Sequence, residues 1–278
     1  MGSSSNEGIF FQAMVLADRY THTILHNKKK LIMIFLFPLA LALVIVWVAG
    51  KGMFETFEQT QACLFMIVSS TIFVGLCNTI QEVCKERNIV KREYMANLNL
   101  ASYILSKLMV QGAVSVISTA IAMGVYAVAF DFPKEGVVTK SVTADFMISL
   151  LLLMLASNAM GLMISSIVKT NDAANTIAPY LLIVQVVFSG VLFEMEGFMD
   201  TIANLMVSKW GMAELGSACG INDFPSKIKI PGYVIPEKDI YRSTSAHLIY
   251  VWLVLVLILF ICSTVSVIVL RRVSKDVR

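Results

Sequence analysis

The chain has 278 residues, of which 57% are hydrophobic and 15% carry a charge, and its formal net charge is +3. Soluble proteins contain about 25% charged residues, so this composition excludes an ordinary soluble domain, and the abundance of apolar residues excludes a disordered chain. The small net charge gives no indication of nucleic-acid binding, and lipid is the expected solvent for much of the surface.

Residues 8–27 are predicted to form an amphipathic helix. Phe10, Phe11 and Met14 give it an apolar side, whereas Asp18 and Arg19 belong to a polar side. A helix of this kind lies along a membrane surface and does not cross it.

Six apolar stretches are long enough to cross a bilayer as helices, which requires about 20 residues each. They are residues 31–49, 62–80, 108–130, 146–168, 173–193 and 248–270. The sequence therefore predicts an all-α membrane protein with six transmembrane helices, in one transmembrane domain that covers residues 1–278.

Basic residues are concentrated on one side of the predicted spans. They precede the first span, lie between spans two and three and between four and five, and follow the sixth: Arg19, Lys28, Lys29, Lys30, Lys85, Arg87, Lys91, Arg92, Lys107, Lys169, Arg271, Arg272, Lys275 and Arg278. Because cytoplasmic loops carry the excess of Lys and Arg, both termini are predicted to be cytoplasmic.

Two segments outside the spans are too polar to cross the membrane. Residues 82–107 are regular enough for a helix just beneath it. Residues 195–246 are predicted to be a long external loop, and their weakly apolar part, 197–216, is predicted to form a re-entrant or interfacial helical hairpin. The second half of this loop contains three prolines, and we expect it to be irregular or to carry short strands.

Catalytic and metal-binding patterns are not found in the sequence. It has no Gly-x-x-x-x-Gly-Lys-Ser/Thr phosphate loop, its three histidines lie at or outside the span boundaries, and its five cysteines lack zinc-site spacing. No charged residue interrupts the middle of a span, which argues against a proton-coupled carrier. These observations leave a passive scaffold or a transporter that is powered from outside the chain.

Three motifs follow one another along the chain. The first consists of Glu86, Arg87, Glu93, Ser102, Tyr103, Lys107 and Leu108; the second of Phe188, Ser189, Gly190, Val191 and Leu192; the third of Ser208, Lys209, Trp210, Gly211 and Met212. In these motifs and in its six spans the chain resembles the permease domains of G-subfamily (type V) ABC exporters. The resemblance is closest to bacterial members whose ATPase also carries a forkhead-associated domain.

The resemblance implies a homodimer in a bacterial inner membrane, together with a nucleotide-binding subunit. ATP and Mg²⁺ would bind to that partner subunit, so no cofactor is expected in this chain. Residues 8–27 would be the connecting helix, and a coupling helix would contact the ATPase through Lys85, Glu86, Arg87, Lys91, Arg92 and Glu93. A solvated charge run with no docked partner is the alternative interpretation of these six residues.

The resemblance also places a substrate cavity between spans two and five of the two copies. The cavity residues would be Phe73, Ser70, Asn78 and Gln185, and Val191 and Leu192 would form an apolar plug that closes the cavity outward. Helix packing is the alternative role for each of them, and Phe73 has lipid contact as a further alternative. A disulfide between two copies of Cys219 is left open.

The function predicted from these observations is ATP-driven export of an amphipathic or lipid-like substrate by alternating access. A non-transporting membrane scaffold or sensor is an alternative, and an intramembrane enzyme that uses His247 is another. One subunit does not distinguish export from import.

Overall fold

The computed structural model describes residues 8–50, 53–133, 136–193, 195–225 and 238–275, and the regular elements of these residues are helices. The α-helices are α1 (Ile9–His26), α2 (Lys28–Ala49), α3 (Phe57–Thr79), α4 (Arg87–Met95), α5 (Leu100–Ala129), α6 (Val142–Ile167), α7 (Asn171–Val187), α8 (Phe198–Ala203), α9 (Val207–Ala218) and α10 (Ser245–Lys275). Three short 3₁₀ helices cover Cys84–Glu86, Ile221–Asp223 and Asp239–Tyr241.

Within the described residues, five helices are long and apolar enough to cross a membrane, namely α2, α3, α5, α6 and α10. The predicted multi-pass, all-helical architecture is thereby confirmed. The helix at the predicted fifth span, α7, has 17 residues, which is about 25 Å at 1.5 Å per residue. It ends at Val187 and not at residue 193, and Gly190 beyond it has a φ of 76°. The sixth crossing therefore stays a prediction.

Helix α6 is at the centre of the bundle, where it packs against α3, α5, α9 and α10. Two glycines allow α3 and α6 to approach closely. A Cβ on Gly161 would lie 2.1 Å from the Thr79 hydroxyl, and one on Gly75 would lie 2.7 Å from the Ser157 Cβ. Small residues at such contacts let membrane helices pack by van der Waals interaction.

The polar segment 82–107, which was predicted to be helical, is divided into separate helices. After α3 the chain forms the 3₁₀ helix and α4, and Asn97 then takes a left-handed conformation with a φ of 71°. Asn tolerates this conformation better than most residues. The next helix, α5, already begins at Leu100, eight residues before the predicted span.

The part of the long loop that was predicted to form a helical hairpin contains two helices, α8 and α9. Helix α9 packs against α3, α6 and α10, and residues 211–218 are buried. The position of the hairpin relative to the bilayer stays a prediction. The expectation of irregular chain or short strands falls mostly on residues 226–237, which lie outside the described residues.

Candidate functional site

A group of buried and half-buried polar side chains lies at the end of the bundle where α2 and α5 begin. We call it the Lys107 cluster, and its members are Tyr20, Lys30, Glu82, Glu86, Tyr103, Lys107 and Gln111. Three of them, Tyr103, Lys107 and Gln111, recur every four residues along α5 and so lie on one face of that helix. The others come from α1, from the start of α2 and from the segment after α3.

Lys107 is at the centre of the cluster and is 1% exposed. Its Nζ donates to Glu86 Oε1 at 2.8 Å and lies 3.7 Å from Glu82 Oε2. It is also 3.5 Å from the centroid of the Tyr20 ring, which is a cation–π distance. Tyr103 donates its hydroxyl to the other oxygen of Glu86, at 2.8 Å.

Tyr20 joins α1 to the cluster. Its hydroxyl donates to Glu82 Oε2, and it accepts from Gln111 Nε2 at 2.8 Å and from Lys30 Nζ at 3.0 Å. Burial, reinforced by the Glu82 carboxylate, raises the pKa of Tyr20 above its ordinary value. The phenol therefore stays protonated and keeps its role as a donor.

The charges of the cluster balance, because Lys30 and Lys107 face Glu82 and Glu86. Lys30 Nζ lies 2.5 Å from Glu82 Oε1, and its side chain is mostly buried. A buried ion pair gives little net stability, whereas removal of one partner costs about 3–5 kcal/mol because the other charge is left uncompensated. The cluster consequently fixes one arrangement of α1, α2, α5 and the segment after α3.

The segment after α3 is also attached to the carboxyl end of α6. Ser165 Oγ accepts from the backbone N–H groups of Val83 and Cys84, at 3.0 and 3.1 Å. Arg87 donates to the carbonyl oxygen of Val168 at 2.7 Å. A cation at this position satisfies a carbonyl group at the end of the helix and interacts favourably with its dipole.

Helix α4 is attached to α1 by an ion pair. Arg19 makes a two-pronged contact with Glu93, with N–O distances of 2.6 and 3.3 Å. The Arg19 side chain is half exposed, so this pair contributes only about 0–1 kcal/mol to stability. Its effect is to set the position of α4 relative to α1.

The base of α7 contacts the same segment. The side-chain amide of Gln81 donates to Asn175 Oδ1, and Cys84 Sγ lies 3.0 Å from Asn171 Oδ1. Residues 81–95 therefore touch α1, α5, α6 and α7, which makes this segment a junction of the bundle.

The six residues predicted to contact an ATPase separate into two groups. Glu86, Arg87 and Glu93 have the contacts within the chain described above. Lys85 and Arg92 are exposed, and Lys91 is half-buried. The exposed residues Asn88 and Ile89, which sequence reasoning did not select, lie beside Lys85 and Arg92 at helical spacing.

The residues predicted to line a cavity on α3 point in different directions. Phe73 is 37% exposed on the outside of the chain. Ser70 instead lines a small cavity of about 20 Å³ with Ser118, Thr119 and Tyr126. Asn78 is half-buried, and its carbonyl oxygen accepts from Gln111 at 3.3 Å.

Gln185 is buried within the chain, whereas Phe73 is exposed. Its Oε1 accepts from the backbone N–H of Ser208 at 2.9 Å, and its backbone carbonyl accepts from the Ser208 hydroxyl at 2.5 Å. Its Nε2 lies 3.3 Å from the sulfur of Met160. These contacts attach α7 to α9 and α6, as the helix-packing alternative expects.

Val191 and Leu192 lie in the irregular chain after α7. Val191 is half-buried and packs against the main core, whereas Leu192 is exposed beside exposed Phe193. The two residues predicted to form a plug thus face different surroundings in the single chain.

Cys219 and His247, on which the alternative hypotheses rest, are buried or contact a neighbouring residue. Cys219 is buried, and burial raises the pKa of its thiol to about 12, which disfavours disulfide formation between two copies. His247 Nε2 lies 3.1 Å from the carbonyl oxygen of Ile240. In the part of the chain that the structure describes, no group of three or more His, Cys, Asp or Glu residues could hold a metal ion.

Sequence reasoning missed four members of the cluster: Tyr20, Lys30, Glu82 and Gln111. Glu82 could have been identified from the sequence, because it is an acidic residue directly after an apolar run and needs a partner when it is buried. Tyr20 gave none, since it was one more aromatic residue on an amphipathic helix.

Comparison with known proteins adds two findings. The sequence profile of the ABC-2 type transporter family matches residues 11–215. The chain is also similar to the ABC transporter ATP-binding/permease protein Rv1747 of Mycobacterium tuberculosis, with 22% identity over 256 residues that cover 88% of this chain and 29% of that protein. The chain therefore spans less than a third of the length of this curated relative.

Proposed function

The chain belongs to the ABC-2 type transporter family and is a multi-pass membrane permease, and from that premise we propose that it is the homodimeric permease of an ATP-driven exporter. ATP and Mg²⁺ bind to a nucleotide-binding partner, which we propose to be a separate subunit with a forkhead-associated domain. The alternative is an arrangement in one polypeptide, because the mycobacterial relative is an ATP-binding/permease protein.

The junction at residues 81–95 is the observation that carries this proposal. A movement applied there reaches α1 through Glu93 and Arg19, α5 through Glu86 and Lys107, and α7 through Gln81 and Asn175. A segment with these contacts is suited to pass a displacement from a docked ATPase into several membrane helices at once. We therefore assign it the role of the coupling segment, on the cytoplasmic side of the inner membrane together with both termini.

The exposed face of the coupling segment is the proposed docking surface for the ATPase. It consists of Lys85, Asn88, Ile89 and Arg92. Ile89 is a large apolar side chain exposed between two cations, which is typical of a protein contact that has an apolar centre and a polar rim. Within this segment, Glu86, Arg87 and Glu93 transmit the movement, and Lys91 flanks the docking face.

The second copy of the chain is proposed to pack against α3 and α7. Helix α7 buries only Ala174 and Gln185 within its own chain, and it exposes Tyr180, Ile183 and Val184. With exposed Phe73 on α3, these residues would form the wall of a substrate cavity between the two copies. Such a wall suits an amphipathic or lipid-like substrate.

Outward closure of this cavity is assigned to Val191 and Leu192 of the two copies, as in the G-subfamily exporters that the chain resembles. The exposed Leu192 is available to meet its counterpart across the two-fold axis. Two aliphatic side chains there exclude water without hydrogen-bonding the substrate.

The test of this proposal is complex formation followed by ATP hydrolysis. The permease and its nucleotide-binding partner, co-expressed and reconstituted in lipid, are expected to co-purify and to hydrolyse ATP. Ile89→Asp with Arg92→Glu should abolish co-purification while the permease still folds, since both side chains are exposed. Lys140→Glu, in an exposed loop at the opposite end of the bundle, is the matched control. Co-purification that survives the double change would contradict the docking surface, and a chain that binds no nucleotide-binding partner would contradict the proposed function.

A further inference from the structure

A groove between α1, α2 and α5 has no assigned occupant. Its volume is about 340 Å³, and its walls include Ile24 and Leu25 of α1, Leu31 and Phe35 of α2, and Val114 of α5. Pockets that bind small ligands have volumes of about 300–1,000 Å³, so the groove can enclose a substantial hydrocarbon chain.

The lining of the groove is apolar. Thr21 is the single polar residue among those that line it, and its hydroxyl already donates to the Ala17 carbonyl oxygen at 2.8 Å. The groove therefore offers its occupant dispersion contacts and burial of apolar surface, with no free hydrogen-bonding group. A hydrocarbon chain matches this lining, whereas a polar ligand would lose its hydration there without compensation.

Two lysines stand at one end of the groove. Lys28 and Lys29 are exposed, and neither has an ion pair with an acidic group among the described residues, whereas the adjacent Lys30 is turned inward to Glu82. Lys28 precedes Leu31 by three positions and Phe35 by seven, so the three residues share one face of α2. A phosphate at Lys28 would thus continue directly into the apolar groove, and Lys29 adjoins it at the same end of α2.

Acidic side chains do not offset these two charges locally. Among the described residues of α1 and α2, Asp18 is the one acidic residue, and it lies near His22 with an N–O distance of 3.8 Å. The end of the groove is therefore positive, and it complements an anionic head group.

The groove extends over about two thirds of the thickness of one membrane leaflet. From Lys28 to Phe35 the helix rises about 10 Å, and the hydrocarbon half of a bilayer is about 15 Å thick. A lipid whose head group lies at Lys28 and Lys29 would therefore place much of one acyl chain against Leu31, Phe35 and Val114.

We propose that this groove binds one anionic phospholipid, with its phosphate at Lys28 and Lys29 and one acyl chain between α1, α2 and α5. The assignment of this lipid to the cytoplasmic leaflet rests on the proposed membrane orientation. The bound chain contacts Ile24, which is one turn from Tyr20 on α1, so the lipid holds α1 against α5 beside the Lys107 cluster.

The experiment measures lipid binding to the purified full-length chain by native mass spectrometry in mild detergent. Phosphatidylglycerol and phosphatidylcholine with identical acyl chains are the probes, and inorganic phosphate is added as a competitor. The wild type should retain one phosphatidylglycerol with at least about tenfold preference over phosphatidylcholine, since each lysine near an anionic head group contributes about 1 kcal/mol. Inorganic phosphate should not displace it, because most of the binding free energy comes from the acyl chain.

Two changes separate the head-group site from the acyl-chain site. Lys28→Gln with Lys29→Gln should abolish the preference, and its control is Lys169→Gln with Arg272→Gln, which removes two exposed basic residues elsewhere. Ala113→Phe places a ring in the groove from an exposed position and should lower binding of both lipids about tenfold or more. Its control is Ala120→Phe, about 10 Å further along the same helix.

Equal loss of the preference in both pairs of charge changes would show bulk attraction and would overturn the proposal. Unchanged binding in Ala113→Phe would also overturn it. The measurement needs neither ATP nor a partner subunit, so its failure is distinguishable from failure of the proposed export function.

Discussion

An ammonium group is costly to bury, and Lys107 is buried at the start of a helix long enough to cross a membrane. It is tolerated there because two carboxylates and two aromatic rings surround it. The same surroundings make the residue sensitive to substitution, because Lys107 is the cation that pairs with Glu86 and it shares Glu82 with Lys30. Lys107 thus connects the sequence motif on α5 to the position of the segment after α3.

Lys107→Met should destabilise the protein more than any exposed change in the same region. The substitution leaves Glu82 and Glu86 close together with one cation fewer, at a cost of about 3–5 kcal/mol. We expect the apparent melting temperature in detergent to fall by roughly 10 °C, at about 2–4 °C per kcal/mol for a chain of this size. Lys85→Met, which removes an exposed lysine nearby, should leave it nearly unchanged. Equal melting temperatures for the two variants would show that the buried pairs do not restrain the fold.

Burial of the Glu214 carboxyl on α9 also costs free energy, and no hydrogen bond within the described residues offsets this cost. Both of its carboxylate oxygens are buried and have no hydrogen-bond partner among the described residues. Burial raises the pKa of this carboxyl well above its ordinary value, which favours its neutral form in the folded protein. In the unfolded chain the same group titrates at about 4.3.

This difference predicts a dependence of stability on pH. A pKa that is raised by folding gives a contribution that is fully present below the unfolded value and is lost as the pH rises through the folded value. The melting temperature of the wild type should therefore fall between pH 5 and pH 8 relative to that of Glu214→Gln, which cannot ionise. Thermal melting of both proteins across this range is the measurement. Parallel curves would mean that Glu214 has a charged partner or water contact in the protein in solution.

At the scale of elements, α7 differs from the five helices that are long and apolar enough to cross a membrane. It buries little of itself, its carboxyl-terminal end is attached to α9 by Gln185, and its amino-terminal end is attached to the segment after α3 by Asn171 and Asn175. Because α7 buries only Ala174 and Gln185 fully, it can shift relative to the bundle without disrupting a large core. We infer that α7 is the element most suited to move when the coupling segment is displaced.

Removal of the contact at the base of α7 should weaken the link between ATP hydrolysis and substrate. Gln81→Ala and Asn175→Ala are each expected to reduce substrate stimulation of ATPase activity in the complex, and the double variant should be no worse than either one, because all three lack the same contact. Thr176→Ala is the control, since its hydroxyl contacts only the Asp172 carbonyl oxygen of its own helix among the described residues. Additive losses in the double variant would show that the two residues act independently.

The helices were largely predictable from hydropathy, but their ends were not. Helix α5 begins eight residues before the predicted span because Ser102 and Lys107 find partners in the folded chain, at the Ile9 carbonyl oxygen and at Glu86. Hydropathy counts such residues as polar wherever they lie. The site was predictable only in part. The motif contained Glu86, Tyr103 and Lys107, whereas Tyr20 is 62 positions from Glu82 in the sequence and only packing brings them together.

For the whole molecule, the decisive quantity is the number of membrane crossings. Five helices meet the length and composition of a span, and α7 is about 25 Å long where the hydrocarbon core is about 30 Å thick. If α7 crosses, the chain after it continues outside and α10 returns to the side where α1 lies. If it does not, the chain between α7 and α10 lies on the same side as α1, and the basic residues before α2 and at the end of α10 lie on opposite sides of the membrane.

Labelling of introduced cysteines with a membrane-impermeant maleimide decides between these arrangements. We expect cysteines at Lys140 and Glu196, both exposed, to be labelled in intact cells, and those at Asn88 and Lys169 to be labelled only after permeabilisation. We expect α7 to cross, because positive residues select the cytoplasmic side and α7 carries no charge after Asp172. The bilayer can also thin locally around a short helix at modest cost. Labelling at Lys140 with protection at Glu196 would instead place α7 on one side of the membrane, and the proposed cavity between α3 and α7 would then be wrong.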